Sequence, residues 1–220
     1  VLFMSIDRRD FIKLAGLFGL GCAMPFTMAR AADKPLVVGF IYVGARDDFG
    51  YNQSHAQAAA IIKKLPNVKV IEEENVPETV AVQKTMEAMI RQDGAQLIFP
   101  TSFGYFDPHV VKMAKKYPDI RFAHCGGLWQ EGKDPKNAGS FFGYIDEGQY
   151  LNGIVAGHMS QSKKLGFIAA KPVPQVLRNL NAFTLGARRV DPTITVTVIF
   201  TGDWSLPVKE AEAANRSEEH

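Results

Sequence analysis

From residue 36 onward, apolar residues follow two alternating rhythms. The run Leu36-Val37-Val38-Gly39-Phe40-Ile41-Tyr42-Val43 is continuously apolar and rich in β-branched residues, as expected of a strand buried on both faces. A helix is predicted over 54–65, with Ala58, Ile61, Ile62 and Leu65 recurring at i, i+3, i+4 and i+7. A strand over 68–71 follows, then a helix over 79–93 with Val82, Met86, Met89 and Ile90 on one face and Gly94 as its stop. After a strand over 96–99, Asp107-Pro108 reads as the N-cap and first-turn proline of a helix that ends at Tyr117, ahead of Pro118. A strand over 120–124, a glycine- and lysine-bearing break over 126–139 and a strand over 140–144 come next. Beyond them a helix over 147–160 carries Leu151, Ile154, Val155 and His158 in register. Strands over 165–169 and 194–200 alternate with a helix over 175–190, and a last helix begins near Pro207.

Strand–helix alternation of this kind predicts an α/β fold with parallel sheets covered by helices, and the break over 126–139 divides it into two lobes. The expected organisation is a leader over 1–31, an N-terminal lobe over 32–143, a partial C-terminal lobe over 144–215 and a non-native tail over 216–220, where the charged residues no longer follow the apolar pattern of 208–214. Two complete lobes need about 300 residues, so the second lobe is expected to be incomplete.

The first thirty residues have the order of an export signal. Arg8-Arg9, with Phe11 and Lys13 behind, precedes an apolar, glycine-interrupted stretch over 14–26 and the small-residue site Ala29-Arg30-Ala31. The apolar stretch falls short of the roughly 20 residues that a membrane span needs. The expected location is periplasmic, by the twin-arginine route, with Cys22 offering lipid anchoring as a rival fate. Cys125 is then the only cysteine left, which excludes an intramolecular disulfide. A formal charge of +2, partly contributed by the leader, argues against a nucleic-acid partner. Hydrophobic residues at 46 % mark a core-forming chain.

In parallel α/β folds ligands sit beyond the carboxyl ends of the strands. The segments there are 44–54, 100–107, 125–129, 170–174 and 201–209, dense in aromatics, amides, hydroxyls and glycines. Aromatic faces suit a flat ring and amides give directional hydrogen bonds, so the pocket is expected to take a planar polar molecule. His124 and Cys125 are strand neighbours pointing to opposite faces, which argues against a cysteine–histidine catalytic pair. His55 and His109 lack ligand spacing, so no metal and no cofactor is expected.

The motifs DFGYNQS (48–54), PTSFGYFD (100–107), YIDEGQYLNGIVAG (144–157), NAFTLGARRV (181–190) and TGDWSLPVK (201–209) resemble the Bmp (basic membrane protein) family of ABC-transporter substrate-binding proteins, in this order and over essentially all of 35–215. The resemblance implies a type I periplasmic-binding fold: two Rossmann-like lobes closing on a ligand in their cleft. It implies a purine nucleoside or base as ligand, an ABC permease and ATPase as partners, and no catalysis. The family's nucleoside receptors sandwich the base between two rings, placed here at Tyr51 and Trp204, with the amide of Asn52 reading the base edge. Ser102, Phe103 and Gly104 would line the cleft from the first lobe, and Asp48 would join the site. Leu206 departs from the family, which often has an acid before the proline of the last motif. Two other functions fit the same scaffold: an exported nucleoside-processing enzyme, with Asp47 and Asp48 as its acid–base candidates, and a ligand-sensing receptor lobe.

Overall fold

The computed structural model describes residues 34–218; the expected leader, Cys22 and the last two residues lie outside them. Strand β1 (Leu36–Ile41) leads through a loop to α1 (Tyr51–Ile62), followed by β2 (Val68–Glu73), α2 (Val80–Arg91) and β3 (Leu97–Pro100). A 3-10 turn (Phe103–Tyr105) and a π-type turn (Phe106–Val110) run into α3 (Val111–Lys116), and β4 (Arg121–Cys125) and β5 (Ala138–Phe141) complete the first sheet. Then come α4 (Ile145–Met159), β6 (Lys164–Ala169), α5 (Pro174–Val190), β7 (Thr195–Phe200) and α6 (Pro207–Glu218). The first sheet is parallel in the order β2-β1-β3-β4-β5, and β6 pairs with β7 in a second parallel sheet.

The continuous apolar run of β1 is explained by cores on both its faces. Val37 and Ile41 join Val82, Met86, Met89, Ile98, Tyr105, Val110 and Phe122 beneath α2 and α3. Val38, Phe40 and Tyr42 pack with Ala59 and Val70 beneath α1, and Phe40 stacks on Phe99 with ring centroids 4.7 Å apart. The α2 face is as predicted: Val82, Met86 and Met89 are buried, the Thr79 hydroxyl accepts the Ala81 N–H as N-cap, and Gly94 adopts φ +74° beyond the C-terminus.

Three expectations are corrected. First, α1 begins at Tyr51, three residues early, and buries Asn52 and Ala59 while Ala58 is exposed and Ile61 is 66 % exposed. Its inward face runs through 52, 56, 59 and 62, and the polar Asn52 disguises its start. Second, Asp107 does not cap a helix: helical turns begin at Phe103, and Asp107 interrupts them with an extended backbone (φ −112°, ψ 125°). Third, the apolar side chains of α4 do not form its packing face. Leu151 and Val155 are each 62 % exposed, and the helix buries Gly153 and Gly157 instead.

The reason lies in α5, which buries Gly186 and Ala187. A Cβ on Gly153 would stand 2.0 Å from the Phe183 carbonyl oxygen, and one on Gly186 would stand 2.0 Å from that of Tyr150. The two helices therefore touch backbone to backbone, and the contact is made by the absence of side chains. Phe167 of β6 seats α5 on the second sheet through an edge contact with Phe183, with centroids 5.3 Å apart.

Candidate functional site

The strands of both sheets end at a common cleft. One cavity there, of about 190 Å³ and mostly apolar, is lined from the first lobe by Asp48, Tyr51, Asn52, Ser102, Phe103 and Cys125, and from the second by Val173, Gln175, Asn179 and Trp204. Beside it lies a wider and more polar space of about 790 Å³, bordered by Glu78, Lys171 and Asp203, which shares Asp48, Asn52 and Trp204 with the first. Of the seven residues expected at the site, six line the smaller cavity. Gly104 instead contributes its backbone, its N–H donating to Glu78 Oε1 at 2.7 Å.

The α1 N-terminus shows how the sequence builds the first wall. Asp48 accepts the backbone N–H groups of Gly50, Asn52 and Gln53 at 2.9–3.0 Å, which satisfies amides that the first helical turn leaves unpaired. Burial works to raise the Asp48 carboxyl, but these bonds outweigh it and hold it low. The same carboxylate accepts from Asn52 Nδ2 at 2.9 Å. That bond fixes the amide orientation and leaves buried Asn52 Oδ1 without a partner. Asp48 thus positions Asn52.

Tyr51 is held at both ends of its ring. Its hydroxyl donates to the Thr101 carbonyl at 2.5 Å, and its ring meets His55 edge-on at 4.7 Å between centroids. Burial raises both the Tyr51 phenol and the neighbouring Cys125 thiol, so neither is an anion at neutral pH. Behind them His124 is fully buried. Its Nε2 lies 2.7 Å from the Ser102 carbonyl and its Nδ1 2.7 Å from Ser140 Oγ, which itself accepts the Leu128 N–H. A carbonyl can only accept, so the proton sits on Nε2 and the Ser140 hydroxyl donates to Nδ1. Burial pushes the His124 pKa down to about 4, which keeps the ring neutral.

Glu78 and Lys171 join the lobes. Lys171 Nζ is 3.0 Å from Glu78 of the first lobe and 3.1 Å from Asp203 of the second, and lies 5.1 Å from the centre of the Trp204 ring. Glu78 also accepts from Ser102 Oγ at 2.5 Å. Burial works to raise its carboxyl, but the bonds from Ser102, Lys171 and Gly104 outweigh it and hold the group below its ordinary range. The second link is Gln175 Nε2, which donates to the Gly126 carbonyl across the cleft. Three of these residues were not expected at the site. Glu78 follows β2, a strand end whose loop shows no cluster of aromatics or amides. Gln175 and Asn179 read as ordinary positions early in a helix. Strand-end topology was the available signal for the first; for the other two, only the crossing of the lobes supplies one.

Comparisons with known proteins agree with this architecture. A family model described as Bmp, ABC transporter substrate-binding protein PnrA-like, matches residues 36–219. A purine-binding protein of Brucella abortus is 40 % identical over 188 residues, covering 84 % of this chain and 52 % of the relative. A protein provisionally named an ABC transporter glucose-binding protein, TsgA13 of Haloferax volcanii, is 32 % identical over 80 % of this chain and 44 % of its own length. Among solved structures, an ABC transporter solute-binding protein of Aeropyrum pernix K1 superposes with a TM-score of 0.70 at 21 % identity, covering 84 % of this chain and 52 % of that one. The chain spans about half the length of these curated relatives. With the family match running through both lobes and the cleft between them, the chain belongs to the Bmp family of PnrA-like ABC-transporter substrate-binding proteins.

Proposed function

We propose that the protein is the extracytoplasmic receptor of an ABC importer, capturing a purine nucleoside or base and delivering it to a membrane permease. One observation carries this reading: a small, mostly apolar cavity that takes an aromatic ring from each lobe, Tyr51 and Trp204, beside the unpartnered amide oxygen of Asn52. Stacking faces with one directed polar group suit a flat heterocycle. The cavity is smaller than the roughly 300–1,000 Å³ of drug-sized sites, which fits a ring held inside with any sugar in the adjoining polar space. Similarity to the Brucella purine-binding protein, and to a Lactococcus lactis protein named as nucleoside-binding, supports the same ligand class. The leader over 1–31 supports export by the twin-arginine route.

The engagement of Asp48 favours a receptor over an enzyme. Its carboxylate is occupied by three backbone amides and Asn52, so it is not available as an acid–base group. Expected losses of affinity test the reading. Tyr51→Leu and Trp204→Leu should each weaken purine binding by about 1–3 kcal/mol, the range of a base–aromatic stack. Unchanged affinity in both, by calorimetric titration, would remove the ring sandwich. Lys171→Met breaks the bridge between the lobes and removes the cation over the Trp204 ring, leaving the residues that line the smaller cavity in place. It should raise the dissociation constant roughly three- to tenfold, chiefly through faster release; stopped-flow release at two salt concentrations checks it.

A further inference from the structure

The carboxylate of Glu78 divides its two oxygens between the lobes. Oε1 serves its own lobe: it accepts from Ser102 Oγ at 2.5 Å and from the Gly104 N–H at 2.7 Å. Oε2 serves the other, accepting from Lys171 Nζ at 3.0 Å. The seat on the first lobe is built in advance. The loop before Glu78 is tied down at Val76, whose N–H donates to the Tyr42 carbonyl and whose own carbonyl accepts the hydroxyl of buried Tyr105. Gly104 leaves the room, since a Cβ there would lie 2.5 Å from the Glu78 carboxyl carbon. The second lobe prepares its half in the same way. Asp203 holds Lys171 Nζ at 3.1 Å and accepts the Trp204 backbone N–H at 2.8 Å. Burial works to raise the Glu78 carboxyl. The Trp204 indole N–H has no partner in hydrogen-bond geometry, yet it stands close enough to join Ser102, Lys171 and Gly104 in holding that carboxyl low.

We infer that Glu78 is a positioning residue that latches the two lobes together through its second oxygen, and so governs how long the cleft stays shut on its ligand. The inference rests on the reading of the protein as a two-lobed receptor and holds whichever solute it carries. Donors from both lobes meet on this one carboxylate. When the lobes part, Lys171 keeps Asp203 and Glu78 keeps Ser102 and Gly104. Opening therefore breaks only the bond between them and leaves neither charge without a partner. Because each half is held in place beforehand, closing costs little in ordering. The latch also sets Trp204, since the cation that it grips lies 5.1 Å from the centre of that ring. Lys171 does more than attract. Glu78 and Asp203 both lie within 3.1 Å of its nitrogen, so without it two carboxylates face each other across the cleft.

The test reads the distance between the lobes in the full-length protein without ligand, by pulsed electron resonance between spin labels on ketone-bearing residues placed at exposed Gln57 of α1 and exposed Asn181 of α5. The variants are Glu78→Gln, Lys171→Met, their combination and Lys171→Arg. Glu78→Gln separates the two duties of the side chain: its amide oxygen still accepts from Ser102 and Gly104, while its N–H groups meet Lys171 as donor against donor. The ratio of closed to open protein is expected to fall roughly three- to tenfold in Glu78→Gln and in Lys171→Met. The combination should fall no further than either alone, because both remove one interaction, and Lys171→Arg should stay near the native ratio. Release of adenine, followed by stopped flow, should quicken in Glu78→Gln. A merely structural role would lower the unfolding midpoint and leave the distances unmoved. Native distances in both Glu78→Gln and Lys171→Met, or losses that add in the combination, overturn the latch and leave the purine receptor standing. Because the distances are read without ligand, failure of every purine to bind would overturn the ligand reading alone.

Discussion

Gly186→Ala is expected to destabilise the second lobe by about 3 kcal/mol or more, although it adds a single methyl group and improves helix propensity. The added Cβ would lie 2.0 Å from the Tyr150 carbonyl oxygen. No side chain can swing aside to relieve that clash, because its partner is the backbone of α4. The helices must separate, opening the contact along Gly153, Gly157 and Ala187. Overpacking usually costs about 1–3 kcal/mol where side chains can adjust, and a backbone clash belongs at or beyond the top of that range. Gly153→Ala should behave alike, since its Cβ would meet the Phe183 carbonyl oxygen at 2.0 Å. The double variant should cost less than the sum, because either change alone already parts the pair. Gly148→Ala is the control within the same helix: nothing lies within 4 Å of its Cβ, and removal of a helical glycine should stabilise by about 0.5–1 kcal/mol. Urea denaturation of the four variants checks the set, and a neutral Gly186→Ala would contradict the packing described.

A comparably large effect is expected from acid. The His124 pKa falls from 6.5 in the unfolded chain to about 4 in the folded protein, because burial opposes the charged ring. Between these values the unfolded chain binds a proton that the folded protein refuses. Folding stability is thus fully present above about pH 6.5 and declines as pH falls toward 4. This one group accounts for a loss of about 3 kcal/mol, at roughly 1.4 kcal/mol per pKa unit. His55 and His109, also depressed chiefly by burial, act in the same direction. Denaturation midpoints measured from pH 7.5 to 4.5 should fall steeply in the native protein and less so in His124→Asn, which has no group to protonate. Because His124 holds the Ser102 carbonyl and Ser102 holds Glu78, ligand affinity should decline over the same interval.

The fold was legible because its signals are local. Continuous apolar runs marked strands buried on both sides, and Val82, Met86 and Met89 marked the inner face of α2. Tyr51, Asn52 and Trp204 lie in segments that follow strand ends, where a parallel sheet presents its loops, but it was the family resemblance that singled them out there; the structure places all three on the wall of the cavity. The packing of α4 on α5 was not, since apolar periodicity points to side chains and this interface excludes them. The inward face of α1 was misplaced because it starts with Asn52, a polar residue that the capping carboxylate of Asp48 makes buriable. Glu78 follows a strand end and Lys171 lies in a strand-end segment, so both had a topological signal; Gln175 and Asn179 acquire meaning only when the lobes meet, and no spacing along the chain encodes that meeting.

The central claim is that a purine ring occupies the cleft between Tyr51 and Trp204. The most direct measurement is the thermal unfolding of the full-length protein with and without adenine, guanine and their nucleosides, repeated on the Tyr51→Leu, Trp204→Leu double variant. The account predicts that at least one purine stabilises the native protein, by about 2.7 kcal/mol at a hundredfold excess over its dissociation constant, and that the gain disappears in the double variant. No stabilisation by any purine, or the same stabilisation with both rings removed, would contradict it.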